Sequence, residues 1–218
     1  FVATVSKGSV FAFLLRFFME SGPVRGGALA TMFTLIAVLS MFAGNLLALF
    51  QDNVKRLLAY SSIAHMGYLL VAFLASGPHR VMVAVFYLAA YFVTTLGAFG
   101  IVTVLSAKDR DADALDDYRG LFYRRPWIAG IFTAMLLSLA GIPPTAGFLG
   151  KYYIFLSLIQ TGHYVLAAVS ALYVAVAIYY YFRMVRSMFV GELEETRPLA
   201  TSFGVGAAAA LTSLATLG

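Results

Sequence analysis

Two lysines stand in surroundings that penalise charge. Lys7 follows Ala3-Thr4-Val5-Ser6 and opens a mainly apolar run reaching to Leu15, and Lys151 lies within Phe148-Leu149-Gly150-Lys151-Tyr152-Tyr153-Ile154-Phe155-Leu156. A cation within lipid costs at least about 2.5–3.5 kcal/mol, so each lysine snorkels, sits in a static pair between helices, or is functional. The chemistry open to a buried amine is proton exchange, because burial penalises the ammonium relative to the neutral form. Ahead of Lys151 stands Gly141-Ile142-Pro143-Pro144-Thr145-Ala146-Gly147. Two successive prolines remove two backbone donors and clash with the preceding turn, so the helix must break there, with Gly141, Pro143, Pro144 and Gly147 as the break. Irregular backbone at membrane depth faces protein or a water-filled cavity, and broken helices mark ion sites in transporters. The break also creates a helix N-terminus near Thr145, under two turns from Lys151, whose partial positive charge is expected to disfavour the ammonium.

A polar trail runs between the two lysines. One segment carries Tyr60, Ser61, Ser62, His65 and Tyr68, with Ser61 and His65 four apart on one helix face; the next carries Tyr87, Tyr91 and Thr95, also four apart. Hydroxyls and an imidazole relay protons through ordered water, and the same groups serve as hydrogen-bonding glue between helices. His79 and His163 fall in short loops and read as solvated.

The elements that hold these residues follow from composition. Of 218 residues, 61% are hydrophobic and 11% charged, against about 45–50% and 25% in soluble domains. A soluble globular protein is excluded. The net charge of +5 has no polar surface on which to gather, which excludes nucleic acid as a partner. Without cysteine there is no disulfide, thiolate metal site or cysteine-ligated iron–sulfur cluster. Phe1 opens directly into an apolar run and the last twenty residues stay apolar, which reads as a fragment of a longer chain. Lys7 interrupts the opening run and no cleavage site follows, so the opening does not read as a signal peptide.

Charge, Gly and Pro clusters divide the chain into seven predicted spans of a single all-α polytopic membrane domain, residues 1–218: about 2–20, 27–50, 56–76, 81–106, 127–160, 164–190 and 199 to the end. The fifth is too long for one rod, since 34 residues at 1.5 Å would be about 51 Å against a hydrocarbon core of about 30 Å. The connections after spans 2, 4 and 6, with their flanks, hold ten Lys and Arg, and the opposite side holds only Arg16, Arg25 and Arg80. The positive-inside rule therefore places loops 51–56, 107–126 and 191–198 in the cytoplasm. Tyr179-Tyr180-Tyr181 before Arg183 and Arg186 reads as an interfacial aromatic belt.

Three stretches carry a resemblance: Asp52-Asn53-Val54-Lys55-Arg56-Leu57-Leu58-Ala59-Tyr60-Ser61-Ser62-Ile63-Ala64-His65-Met66-Gly67-Tyr68; Leu137-Ser138-Leu139-Ala140-Gly141-Ile142-Pro143-Pro144-Thr145-Ala146-Gly147-Phe148 with Gly150-Lys151; and Ala3-Thr4-Val5-Ser6-Lys7. Along nearly its whole length the chain resembles the antiporter-like membrane subunits of respiratory complex I and of multisubunit cation/proton antiporters. Within that family it is similar to the subunit N branch. The sister branches carry His-x-x-x-His-x-x-x-Lys where this chain has Tyr87, Tyr91 and Thr95, and the loop Asp116-Asp117-Tyr118-Arg119-Gly120-Leu121-Phe122 with Arg124-Arg125-Pro126-Trp127 also resembles that branch.

The resemblance implies an antiporter-like bundle of fourteen helices with two inverted five-helix repeats, of which these would be the last seven: the end of the first repeat and the second repeat. Lys7 and Lys151 then match the family's connecting and terminal lysines. The expected activity is proton translocation in the inner membrane of a bacterium, coupled to quinone reduction elsewhere, with no redox centre in this chain. NAD, FMN, iron–sulfur clusters and quinone belong to other subunits, and the expected partners are the other membrane subunits and the lipid bilayer. A sodium/proton antiporter subunit and a purely structural subunit with static lysines are the competing readings.

Overall fold

The computed structural model describes residues 6–20, 27–75, 80–106 and 111–190. The seventh predicted span, His79 and the whole of loop 191–198 lie outside them. In chain order the helices are α1 (Lys7–Glu20), α2 (Gly27–Leu49), α3 (Val54–Leu74), α4 (Arg80–Leu105), α5 (Leu121–Arg124), α6 (Pro126–Ala140), α7 (Ala146–Gln160) and α8 (Tyr164–Phe189). Spans 2, 3, 4 and 6 thus appear as α2, α3, α4 and α8, each long and apolar enough to cross a membrane. The fifth span is divided into α6 and α7, with the break at Gly141–Thr145. At 1.5 Å per residue each half is about 22 Å, so neither alone spans a hydrocarbon core of about 30 Å.

The most enclosed of the spanning helices is α3. Its polar residues persist because neighbours on all sides supply partners, whereas a lipid-facing helix would leave hydroxyls and an imidazole unsatisfied. Its start is fixed by Asn53, whose side chain accepts from the Arg56 amide at 2.9 Å, filling one of the donors left free in a first turn. The outward faces of α2 and α8 are apolar, with Leu35, Leu39, Phe42, Leu172 and Phe182 exposed.

The closest packing joins α2 to α3 through glycines. A Cβ on Gly44 would stand 2.4 Å from the Ala64 amide nitrogen, and one on Gly67 2.7 Å from the Ala37 carbonyl oxygen. Two apolar clusters fill the bundle. One, with Leu57, Leu58, Ile101, Phe132, Leu136 and Met184, lies toward the loops after α2 and α4. The other, with Phe11, Leu69, Phe73, Val83, Ile154 and Leu166, lies toward the opposite end.

The charged connections gather at one end of the bundle. Leu115 N–H donates to Asp52 O at 2.8 Å and Val54 N–H to Asp113 O at 2.7 Å, and Lys55 pairs with Asp113 at 2.8 Å and Asp111 at 3.1 Å. From α8, Arg183 donates to Gln51 O and lies 3.5 Å from the Asp52 carboxylate. The Lys55 ammonium holds the Asp113 carboxyl below its ordinary value. The pair's contribution is therefore lost as pH falls through the lowered carboxyl value, and exposure keeps it small.

One expectation is overturned here. Tyr180 and Tyr181 are completely buried and only Tyr179 is exposed. Successive helical residues point about 100° apart, so three in a row cannot share the lipid face of α8.

Replacing Gly44 or Gly67 with Val is expected to destabilise the folded full-length chain by about 1–3 kcal/mol through overpacking. Gly100, with open space around it, should accept Ala without loss. Thermal unfolding in detergent, compared across the three variants, checks the ordering.

Candidate functional site

The site grows out of the helix break. Gly141 ends α6 in the left-handed conformation, φ 83° and ψ 47°, which a glycine adopts without strain. Its N–H and that of Ile142 turn back onto the carbonyls of Leu137 and Ser138. The next two carbonyls, Leu139 and Ala140, lack those partners, and both accept from Lys151 Nζ, at 2.8 and 2.9 Å. The lysine, 3% exposed, thus reaches from α7 back to cap α6. A Cβ at position 141 would stand 2.7 Å from Lys151 Cδ, so glycine is needed there for space as well as for backbone.

Thr145 caps the start of α7, accepting from the Phe148 amide, and Gly147 lets this start press against α6, where a Cβ would meet the Ser138 carbonyl oxygen at 1.9 Å. Ser138 Oγ accepts from the Gly147 amide at 3.2 Å. Pro143 and Pro144 are exposed; they enforce the interruption without lining the site. The expected field of the α7 N-terminus therefore requires correction. The ammonium is turned instead to the C-terminal end of α6, where the partial charge is negative and favours a cation.

Around Lys151 the aromatic residues of α3 and α4 converge. Its Nζ is 5.4 Å from the centroid of the Tyr68 ring. Tyr87 packs onto Gly150, whose absent side chain makes room for the ring. The Tyr87 hydroxyl is hydrogen-bonded to His65 Nδ1 at 2.7 Å, and His65 stacks on Tyr91 with ring centroids 4.9 Å apart. Tyr91 Oη lies near the hydroxyls of Thr95 and Ser62, although neither it nor Thr95 Oγ1 has a hydrogen bond of good geometry among the described residues. Ser62 Oγ accepts from Lys7 Nζ. His65 lies within electrostatic reach of both lysines.

Lys7, His65, Tyr87, Tyr91, Thr95 and Lys151 are therefore brought to one polar seam where the two apolar clusters meet. Ser61 is not on it: its hydroxyl donates to Leu58 O at 2.9 Å and faces Tyr181 of α8. Tyr60 is half-buried against the apolar cluster near the loops and is likewise off the seam. His163 is exposed at the start of α8. The hydroxyl that meets Lys7 belongs to Ser62, adjacent to the one that four-residue spacing from His65 favours. Sequence spacing gives no sign of the Leu139 and Ala140 carbonyls, since main-chain groups leave no residue-type signal. No group of three or more His, Cys, Asp or Glu suited to a metal occurs among the described residues.

The sequence profile of the membrane family described as NADH:quinone oxidoreductase/Mrp antiporter, TM, matches residues 1–199. The chain belongs to this family. Among curated members, NADH-quinone oxidoreductase subunit N 2 of Solibacter usitatus is 49% identical over the whole chain, and subunit N of Methylococcus capsulatus is 50% identical over 99% of it. The chain spans 44% and 45% of the lengths of these two members. Among solved structures, respiratory complex I from Thermus thermophilus with bound aureothin contains a chain 35% identical, matching 86% of this chain and 42% of its own length with a TM-score of 0.75. The Mrp complex of a Dietzia species matches 86% of this chain and 43% of its own with a TM-score of 0.76 at 19% identity, which shows the shared family fold alone.

Gly141→Ala is expected to destabilise the chain, with about 1–2 kcal/mol from the left-handed backbone alone, and to displace Lys151 from the α6 carbonyls. Thermal unfolding together with the reactivity of Lys151 toward a small amine-acylating reagent checks this: stability falls and labelling accelerates.

Proposed function

We propose that the chain is the C-terminal part of a proton-translocating membrane subunit of a bacterial NADH:quinone oxidoreductase, in which Lys151 takes up and releases the proton. Support comes from the family, from identity of about half with members named subunit N, and above all from a fully buried amine on the carbonyls of a broken helix. The two carbonyls hold the ammonium, and the Tyr68 face adds a weak attraction. When the amine gives up its proton, a neutral nitrogen still donates to a carbonyl, so the break survives both states. The line Lys7, Ser62, Tyr91, His65 and Tyr87 then supplies or drains protons by rotation of hydroxyls and exchange at the imidazole.

In this reading the chain is a non-redox part of the enzyme. NAD, FMN, iron–sulfur clusters and quinone act in other subunits, and the exposed apolar faces meet lipid or the neighbouring membrane subunits. Residues 1–218 form one membrane domain, the end of a first repeat and a second, inverted repeat. The loop end that carries Lys55, Arg124 and Arg183 faces the cytoplasm, with loops 51–56, 107–126 and 191–198, by the positive-inside rule. The alternative, a subunit of a multisubunit sodium/proton antiporter, is supported by likeness of fold.

Lys151→Ala is expected to lower proton pumping and coupled quinone reduction together, by at least about tenfold, when the full-length chain is assembled in its complex. That variant also strands two buried carbonyls, so Lys151→Arg is the sharper test: it retains a cation and donors while its guanidinium does not release a proton. Reconstituted vesicles with a pH-sensitive dye give the readout. Inactive Lys151→Arg supports a proton carrier, and wild-type pumping by it excludes one.

A further inference from the structure

On the outer surface, away from Lys151, α2 and α8 leave a groove between them. Leu172, Val176, Tyr179 and Arg183 of α8 line one wall of a cavity of about 660 Å³, and Leu49 and Phe50, where α2 ends, line the other. The α8 residues recur at the three- and four-residue spacing of one helix face, so the groove follows the helix. At 1.5 Å per residue Val176, Tyr179 and Arg183 lie about 6, 10.5 and 16.5 Å along the axis from Leu172. Leu172 and Tyr179 are 63% and 62% exposed on a helix long and apolar enough to cross a membrane. The groove thus begins between apolar side chains and finishes at the charged end of the bundle.

Charges of both signs stand there. Arg183 donates to Gln51 O, and its Nη1 lies 3.5 Å from an Asp52 carboxylate oxygen, longer than a strong charge-assisted hydrogen bond. Arg183 Nε has no hydrogen bond among the described residues. The Asp52 side chain is 86% exposed, and Arg186, one turn beyond Arg183, is exposed as well. Protein groups therefore leave guanidinium and carboxylate incompletely paired at the end of a spanning helix, where hydrocarbon gives way to headgroups.

We propose that this groove binds one molecule of phosphatidylethanolamine. An acyl chain lies against Leu172 and Val176, the Tyr179 hydroxyl donates to an ester carbonyl, Arg183 and Arg186 hold the phosphate, and the primary ammonium donates to Asp52. The order along α8, apolar wall, phenol, cations and then carboxylate, is the order of groups along that lipid. The two headgroup charges favour this occupant over others. Phosphatidylglycerol brings no cation to Asp52, phosphatidylcholine has no N–H to donate to it, and an apolar helix of another subunit would match neither charge. The inference is independent of the reading of Lys151 and needs only that α8 spans a membrane.

The test uses the full-length chain assembled in its complex and reconstituted in vesicles of equal parts phosphatidylethanolamine, phosphatidylglycerol and phosphatidylcholine. A trace of one of the three, with a photoactivatable diazirine in its acyl chain, is added in turn. After irradiation, peptide mass spectrometry reads labelling at residues 172–179 as a share of all labelling of the complex. The ethanolamine probe is expected to label this stretch about tenfold more than the other two, the worth of one hydrogen bond between charged groups. Asp52→Asn should remove most of that preference. Ala175→Phe, which places a ring on the exposed groove wall, should abolish labelling there by all three probes. Equal labelling by the three probes would mean bulk lipid only and overturns the site. No labelling at 172–179 would mean that another polypeptide covers the groove, and overturns it too, as does a preference that survives Asp52→Asn. If Ala175→Phe fails to assemble, Asp52→Asn decides alone, since it alters an exposed side chain at constant volume.

Discussion

A helix that ends inside a membrane must dispose of its last carbonyls, and the rest of this structure follows from how that is done. Water is scarce at that depth and each stranded carbonyl costs free energy, so irregular backbone survives only with local partners. At the end of α6 the backbone supplies two donors, from Gly141 and Ile142, and the Lys151 side chain supplies the remainder. The same contact makes the lysine tolerable: the negative end of a helix offsets part of the cost of a desolvated cation. Neither partner is stable there alone.

The surrounding architecture serves this exchange. Gly141 leaves room for the lysine stem, Gly147 brings α7 against the last turn of α6, and Gly150 admits the Tyr87 ring beside Lys151. From Tyr87 the polar seam continues through His65 and Tyr91 toward Ser62 and Lys7, each group drawn from α3 or α4 except the last. Placing this seam where two apolar clusters meet keeps it from both surfaces, which is what a gated proton path requires and an open channel lacks.

Several of these features are legible in the residues alone. Pro143 and Pro144 announce the break because no helix carries two successive missing donors, and the length of the fifth span demands it independently. Lys151 and Lys7 are conspicuous because charge is rare among apolar runs. What escapes is set by direction in space. Tyr180 and Tyr181 read as a belt until the packing of α8 turns them inward, Ser62 rather than Ser61 meets Lys7, and Tyr60 faces an apolar cluster. The electrostatic partner of Lys151 is a pair of main-chain carbonyls some eleven residues upstream, which no residue type signals. The helix N-terminus nearer in sequence has the opposite sign from the helix end that the lysine meets.

Lys151 is proposed to change protonation while staying on the carbonyls of Leu139 and Ala140. Nitrogen-15 resonance of lysine-labelled full-length chain in its complex, with the Lys151 signal assigned through Lys151→Arg, observes that directly. The Lys151 Nζ signal is expected as both ammonium and neutral amine, with their proportion shifting between the resting complex and the complex turning over NADH and quinone. A signal fixed as ammonium in both conditions would contradict it and leave Lys151 as a static cap on a broken helix.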